Sequence, residues 1–232
     1  MTRYHFTKAL LITLGLLGRF AYSAELPDLI AKLEKLDAQN AVTLTVHIVD
    51  QRSRTEEDKD VKPIEKGNFS IAANAEELTV AVAGKMSDTR VFQDFSVLRA
   101  GTLAHYAPQL AQDLAGLKLL ENHPDTQQGV GCRRWRLKSE EKQSRFGVKS
   151  TTLRNVQLWL DAQGYPVRAA FKTKITGRML LFKFSSESTR NQQFKRMGDR
   201  LVLTLDKNKT ETKSKAGAEK RTVTTTVEIN ES

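Results

Sequence analysis

The stretch VQLWLDAQGYPVRAA, Val156 to Ala170, decides the fold. Val156, Leu158 and Leu160 alternate with Gln157 and Trp159. Asp161-Ala162-Gln163-Gly164 then breaks the pattern, and alternation resumes with Val167, Ala169 and Phe171 against Arg168, Lys172 and Lys174. Successive side chains of a strand point to opposite faces, so this is a β-hairpin with one apolar and one basic face. Asp161 suits the opening of the turn, where its carboxylate can accept from its own backbone. Pro166 suits the first position of a strand.

The same period recurs downstream and upstream. VGCRRWRLK places Trp135 and Leu137 on one face and Arg134 and Arg136 on the other. MLLFKF carries Leu180, Phe182 and Phe184; DRLVLTLD carries Leu201, Leu203 and Leu205; RTVTTTVEI carries Val223, Val227 and Ile229. Nearer the N-terminus, AVTLTVHIVD, GNFSIAAN and ELTVAVAG read as a three-stranded meander, with the acidic TEEDKD as a loop. The run DKNKTETKSKAGAEK between two of the later strands reads as a charged loop, and ENHPDTQQG reads as a polar turn.

Two segments change to a period near 3.6. Leu26, Leu29, Ile30, Leu33 and Leu36 predict an N-terminal helix near 26–38, with Pro27 tolerated in its first turn. A helical insertion is expected near 88–120, where Val91, Phe95 and Leu98 share one stripe and Leu103, Tyr106, Leu110, Leu114 and Leu117 another. Pro108 lacks an N–H and clashes with the preceding turn, so two shorter helices are expected, broken between Gly101 and Pro108. The expected fold is therefore α+β: a curved antiparallel sheet, an incomplete barrel of about eight or nine strands, with its apolar face covered by these helices.

Residues 1–23 read as an export signal, with Arg3 and Lys8 ahead of the apolar run Ala9–Gly18, and Ala21-Tyr22-Ser23 fitting a cleavage site before Ala24. The run is shorter than the roughly 20 residues of a membrane span. Residues 24–232 then form a single domain, expected to be periplasmic, soluble and monomeric, with no transmembrane segment left after signal removal. Cys132 is the one cysteine, so no internal disulfide can form, and a buried inert thiol is expected. The charge is divided: residues 24–129 hold 11 Lys and Arg against 17 Asp and Glu, whereas residues 130–232 hold 23 against 10. In an exported chain such a basic half points to an anionic membrane surface, polysaccharide or an acidic partner rather than to nucleic acid.

Catalytic patterns are sparse, and the chain does not read as an enzyme. There is no nucleophile elbow, phosphate loop or dinucleotide fingerprint. His47, His105 and His123 lack the spacing of a metal site, and the adjacent carboxylates Glu56-Glu57, Glu76-Glu77 and Glu140-Glu141 do not converge as a glycosidase pair must. No metal or cofactor is expected. Two surfaces remain. The apolar one offers Leu158, Leu160, Phe171, Phe182, Leu110 and Leu114 as the lining of a cavity for a hydrophobic or lipid-like ligand. The basic one offers Arg134, Arg136, Arg168, Lys172 and Lys174 to an anionic surface.

The order of elements, and the strand–turn–strand from Gln157 to Arg168, resemble the outer-membrane lipoprotein-carrier superfamily (LolA/LolB-like). That resemblance implies an incomplete antiparallel barrel whose mouth is plugged by helices, and carriage of lipidated or hydrophobic cargo through the periplasm. The helical segment before Trp135 is also similar to that of uncharacterised exported bacterial proteins, which implies no activity. The alternative to a carrier is an exported structural or interaction module without a ligand cavity.

Overall fold

A computed structural model describes residues 25–53, 63–82, 95–127, 129–145, 148–179, 182–214 and 217–230. The export signal, the TEEDKD segment, the start of the expected helical insertion and Leu180 lie outside the described residues, as does the side chain of Phe182.

Helix α1 covers residues 25–34 and buries Leu26, Leu29 and Leu33. Strands β1 (Val42–Ser53), β2 (Ile64–Ala73) and β3 (Leu78–Val82) follow as the expected meander. Helices α2 (Val97–Ala104) and α3 (Ala107–Leu114) come next. The Ser96 hydroxyl caps α2 by accepting from the Arg99 backbone N–H at 3.2 Å, filling one of the donors a helix start leaves open. Pro108 falls in the first turn of α3, where its missing N–H costs nothing, so the break between the helices sits at His105–Tyr106. Gly116, at φ +75°, turns the chain out of α3.

Strands β4 (Lys118–Gln127), β5 (Val130–Arg145), β6 (Val148–Leu160), β7 (Pro166–Met179), β8 (Phe182–Met197), β9 (Arg200–Ser214) and β10 (Gly217–Asn230) run up and down as neighbours. The described residues thus form one ten-stranded sheet, ordered β3-β2-β1-β10-β9-β8-β7-β6-β5-β4, with every pair antiparallel. Its edges, β3 and β4, do not meet, so the barrel is incomplete.

Two sequence readings are corrected here. Residues 118–127, read as helix end and polar turn, are β4, the strand that raises the count to ten. Their polar composition suits an edge, and Pro124 is accepted there because an edge strand has one unpaired side. Within the run 206–220, read as a loop, residues 206–214 continue β9 and residues 217–220 belong to β10, with Glu211 opposite Lys220. Threonine alternating with lysine fits a ladder solvated on both faces, a pattern without the apolar repeat that announces a half-buried strand.

The chain must pass from edge β3 to edge β4, and the helices make that crossing over the inner face. Helix α2 meets β2, β3 and β9, and α3 meets β9. Under them lies a single core that includes Leu44, Val46, Phe69, Ile71, Leu137, Val156, Leu158 and Leu203. Phe95 stacks on Phe69 with ring centroids 4.1 Å apart. The sheet is longer than this core. Along β6 the inner face changes from Leu158 and Val156 to Arg154, Thr152 and Ser150, and along β9 from Leu203 to Asp206, Asn208 and Thr210.

Candidate functional site: a closed inner face and a basic outer face

The hairpin from Val156 to Ala170 forms as the sequence demands. Asp161 Oδ1 accepts from the Tyr165 N–H at 2.8 Å, the Gly164 N–H donates to the Asp161 carbonyl at 3.0 Å, and Gly164 takes φ +77°. Register then sets both faces: Leu158 lies opposite Trp135 on one side and Ala169 on the other, while Trp159 lies between Arg134 and Arg168.

On the inner face, Leu158, Leu160 and Phe171 meet the core that also takes Leu110 and Leu114 of α3. All five are buried, none more than 8% exposed. Phe182 begins β8 opposite Met179. Three concavities among the described residues are lined by other side chains, and these five are packed within the core.

A polar network borders that core where it meets α3. Arg190 forks onto Asp206 at 2.7 and 2.8 Å and stands 3.9 Å from Asp113 of α3. Arg154 donates to the Asp113 carbonyl at 2.7 Å. Tyr106 donates its hydroxyl to Asp113 at 3.3 Å, and the Gln192 amide lies 2.8 Å from the same hydroxyl. Burial works against the Arg190 charge, yet the hydrogen bonds and charge of Asp206 outweigh it and its pKa rises. Burial pushes the Tyr106 phenol up to about 12, so at neutral pH it is a hydrogen-bond donor and not a base. A second inner-face cluster joins Asp50 to Arg221 at 2.9 and 3.0 Å and to Arg52 at 3.1 Å. Sequence reasoning missed both clusters, because each joins residues far apart in the chain.

On the outer face the register brings Arg134, Arg136, Arg168, Lys172 and Lys174 together, as alternation predicts. They are not bare. Arg134 stands 3.8 Å from Asp125 and Arg136 2.5 Å from Glu121, both on β4. Lys172 pairs with Glu187 of β8 at 2.8 Å, and Lys174 lies opposite that same Glu187. Arg168 covers the Trp159 ring at 4.8 Å and donates to Gln127 at 3.1 Å. The neighbouring strands β4 and β8 supply the carboxylates. The Lys172 hydrogen bond and charge hold Glu187 below its usual range. The chain matches no protein-family model and has no significant similarity to a curated protein.

Two concavities open on this face. One, of about 320 Å³, mixes signs, with Lys174, Lys209 and Lys213 around Glu187 and Glu211. The other, of about 520 Å³, lies at the far end of β5–β8 and is lined by Lys142, Lys149, Arg178 and Lys183 among Ser144, Thr151 and Thr176. These four cations were not singled out from sequence. The signal was available: ten residues back from Trp159 and ten on from Arg168 are Lys149 and Arg178, opposite each other in the same ladder.

A third concavity, of about 370 Å³, is lined by Val130, Cys132, Arg168 and Phe194 among others. Cys132, expected buried, is half-buried there; burial and then the Asp125 charge push its thiol up, away from the reactive thiolate. The described histidines have separate engagements: His47 with Glu65 at 2.9 Å, His105 with the Leu36 carbonyl at 3.2 Å and His123 with Glu121 at 3.7 Å. Among the described residues no cluster of three or more His, Cys, Asp or Glu has metal-site geometry, and no helix is long and apolar enough to cross a membrane.

Proposed function

We propose that this chain is an exported periplasmic protein that docks, through the basic outer face of its open sheet, on an anionic membrane surface. The observation that carries this reading is the segregation of charge by the strand register. Outward-facing positions of β5–β10 hold Arg134, Arg136, Arg168, Lys172, Lys174, Arg178, Lys183, Lys207, Lys209 and Lys213. The acids set among them, Glu187 and Glu211 for example, are fewer. A face of one dominant sign concentrates anionic partners and speeds encounter with them. The test is sedimentation with phosphatidylcholine vesicles, with and without phosphatidylglycerol. Binding is expected only to the anionic vesicles and is expected to weaken with salt, since charges beyond about 8 Å are screened at physiological ionic strength. Indifference to vesicle charge refutes it. Export itself predicts a mature N-terminus at Ala24 or Glu25; a product that retains Met1 and stays with the inner membrane refutes it.

A second reading, carriage of a hydrophobic or lipid-like ligand, is favoured by how the inner face is closed. Helix α3 is held in part by Arg154, Arg190 and Gln192 through hydrogen bonds and charge, contacts that water can replace when a helix lifts. The resemblance to lipoprotein carriers points the same way. Lipid extraction and mass spectrometry of the protein from its native compartment test it: stoichiometric lipid supports carriage, and none leaves the docking module.

A further inference from the structure

Two β-bulges stand near the β6–β7 turn. Trp159 lies opposite Arg168 and Leu160 opposite Pro166, so Val167 is an extra residue in β7. Gln193 lies opposite Leu205 and Phe194 opposite Leu203, so Thr204 is an extra residue in β9. Between them, β7 and β8 pair no further than Arg168 and Gln193, although β8 runs on to Met197. Bulges bend a strand and re-aim its side chains, and both extra residues line the concavity of about 370 Å³. Two opposite charges line it as well, Arg168 and Asp161, both half-buried. Among the described residues neither is in an ion pair, and both are held by neutral groups. Arg168 lies on the Trp159 ring and donates one N–H to the Gln127 amide oxygen, while Asp161 accepts from the Tyr165 N–H. These contacts orient the two groups without cancelling either charge. Val130, Val167 and Phe194 add an apolar wall.

We propose that this concavity binds a small zwitterion with an apolar body, a free α-amino acid of the leucine class. The site goes beyond membrane docking and does not depend on it. The Arg168 guanidinium takes the carboxylate, keeping its contacts with Trp159 and Gln127, and Asp161 takes the ammonium group. The side chain lies against Val130, Val167 and Phe194. A simple anion would meet Arg168 but be repelled by Asp161, and a simple cation the reverse. Only a molecule that carries both signs satisfies both groups, and half-buried charges gain most from such partners. The volume of about 370 Å³ is at the small end of the roughly 300–1,000 Å³ of ligand pockets, which suits one amino acid.

Isothermal titration calorimetry of the purified protein with leucine, leucinamide and 4-methylpentanoate tests this. Leucinamide lacks the carboxylate, and 4-methylpentanoate lacks the ammonium group. Leucine is expected to bind, and each analogue to bind at least about tenfold more weakly, the loss expected when one charge-assisted contact is removed. Asp161→Asn keeps an oxygen for the Tyr165 N–H and removes the charge. It is expected to abolish the discrimination between leucine and 4-methylpentanoate while leaving that against leucinamide. Arg168→Gln is expected to do the opposite. A residue that serves only the turn or the sheet would not move these ratios. Circular dichroism checks that each variant folds, and should either misfold, the two analogues decide the matter on the unaltered protein. Failure of both leucine and phenylalanine to bind at millimolar concentration overturns the site. So does binding of leucine no tighter than that of either analogue, or discrimination that survives both substitutions.

Discussion

Leu158 and Gln157 are neighbours with opposite fates. Leu158 has no exposed surface and lies between Trp135 and Ala169, whereas Gln157 faces water. Leu158→Ala should cost about 2–5 kcal/mol through lost burial and the cavity left behind. Gln157→Ala should cost no more than about 0.5 kcal/mol. Urea denaturation measures both, and equal costs would mean the register is slipped by one residue. Tyr106 gives the protein an alkaline sensitivity. Its phenol titrates near 10 in the unfolded chain and near 12 in the fold. Its contribution to stability is complete below pH 10 and is lost as pH rises toward 12, because over that range the unfolded chain releases a proton that the native state keeps. Tyr106→Phe should flatten this part of the stability–pH curve while lowering stability at neutral pH, as the partners Gln192 and Asp113 lose a contact.

At the scale of elements, the β8–β9 turn fastens the segment that follows α1. Asp199 accepts from the Gln39 and Asn40 N–H groups at 2.6 and 3.0 Å, and Arg200 donates to the Ala38 and Asn40 carbonyls. Gly198, at φ +61°, permits that approach: a Cβ placed there would lie 1.7 Å from Asn40 Nδ2. Gly198→Ala combines a left-handed backbone with a clash, so it should destabilise by more than about 1 kcal/mol in thermal unfolding. Asp199→Ala should leave the helix in place but speed hydrogen exchange at the Gln39 and Asn40 amides. Unchanged exchange would show that the segment is held by α1 packing alone. Neither contact is visible as a pattern, since each joins residues about 160 positions apart.

At the scale of the whole molecule, the sheet outruns its core. The helices cover the inner face near Leu158, Phe69 and Leu203, and the far ends of β5, β9 and β10 are polar on both faces. Ser188 bonds Asn208 at 2.9 Å there, and Ser186 approaches Thr212 at 3.3 Å. Hydrogen-bonded ladders of this kind hold shape but remove little apolar surface from water. Replacing residues 211–220 with an Asn-Gly turn should therefore leave a folded protein whose Tm moves by no more than about 4 °C, the shift expected from about 1 kcal/mol in a chain of this size. A collapse of Tm would show that the extension is part of the cooperative unit.

The amino-acid sequence determined the two-faced hairpin, because a period of two with Asp161 and Gly164 between its arms has one low-energy arrangement. It determined likewise the break before Pro108 and the separation of Leu158 from Arg168 onto opposite faces. Those are local matters of side-chain period and backbone chemistry. It could not reveal β4 or the far ends of β9 and β10. Strands without an apolar face carry no amphipathic period, and they exist only because a neighbour completes their hydrogen bonds. Nor could it pair Arg190 with Asp113 and Asp206, or give Arg136 its Glu121. Each of those depends on which strand lies beside which and in what register. Only the closing of the whole ladder around one core sets that arrangement.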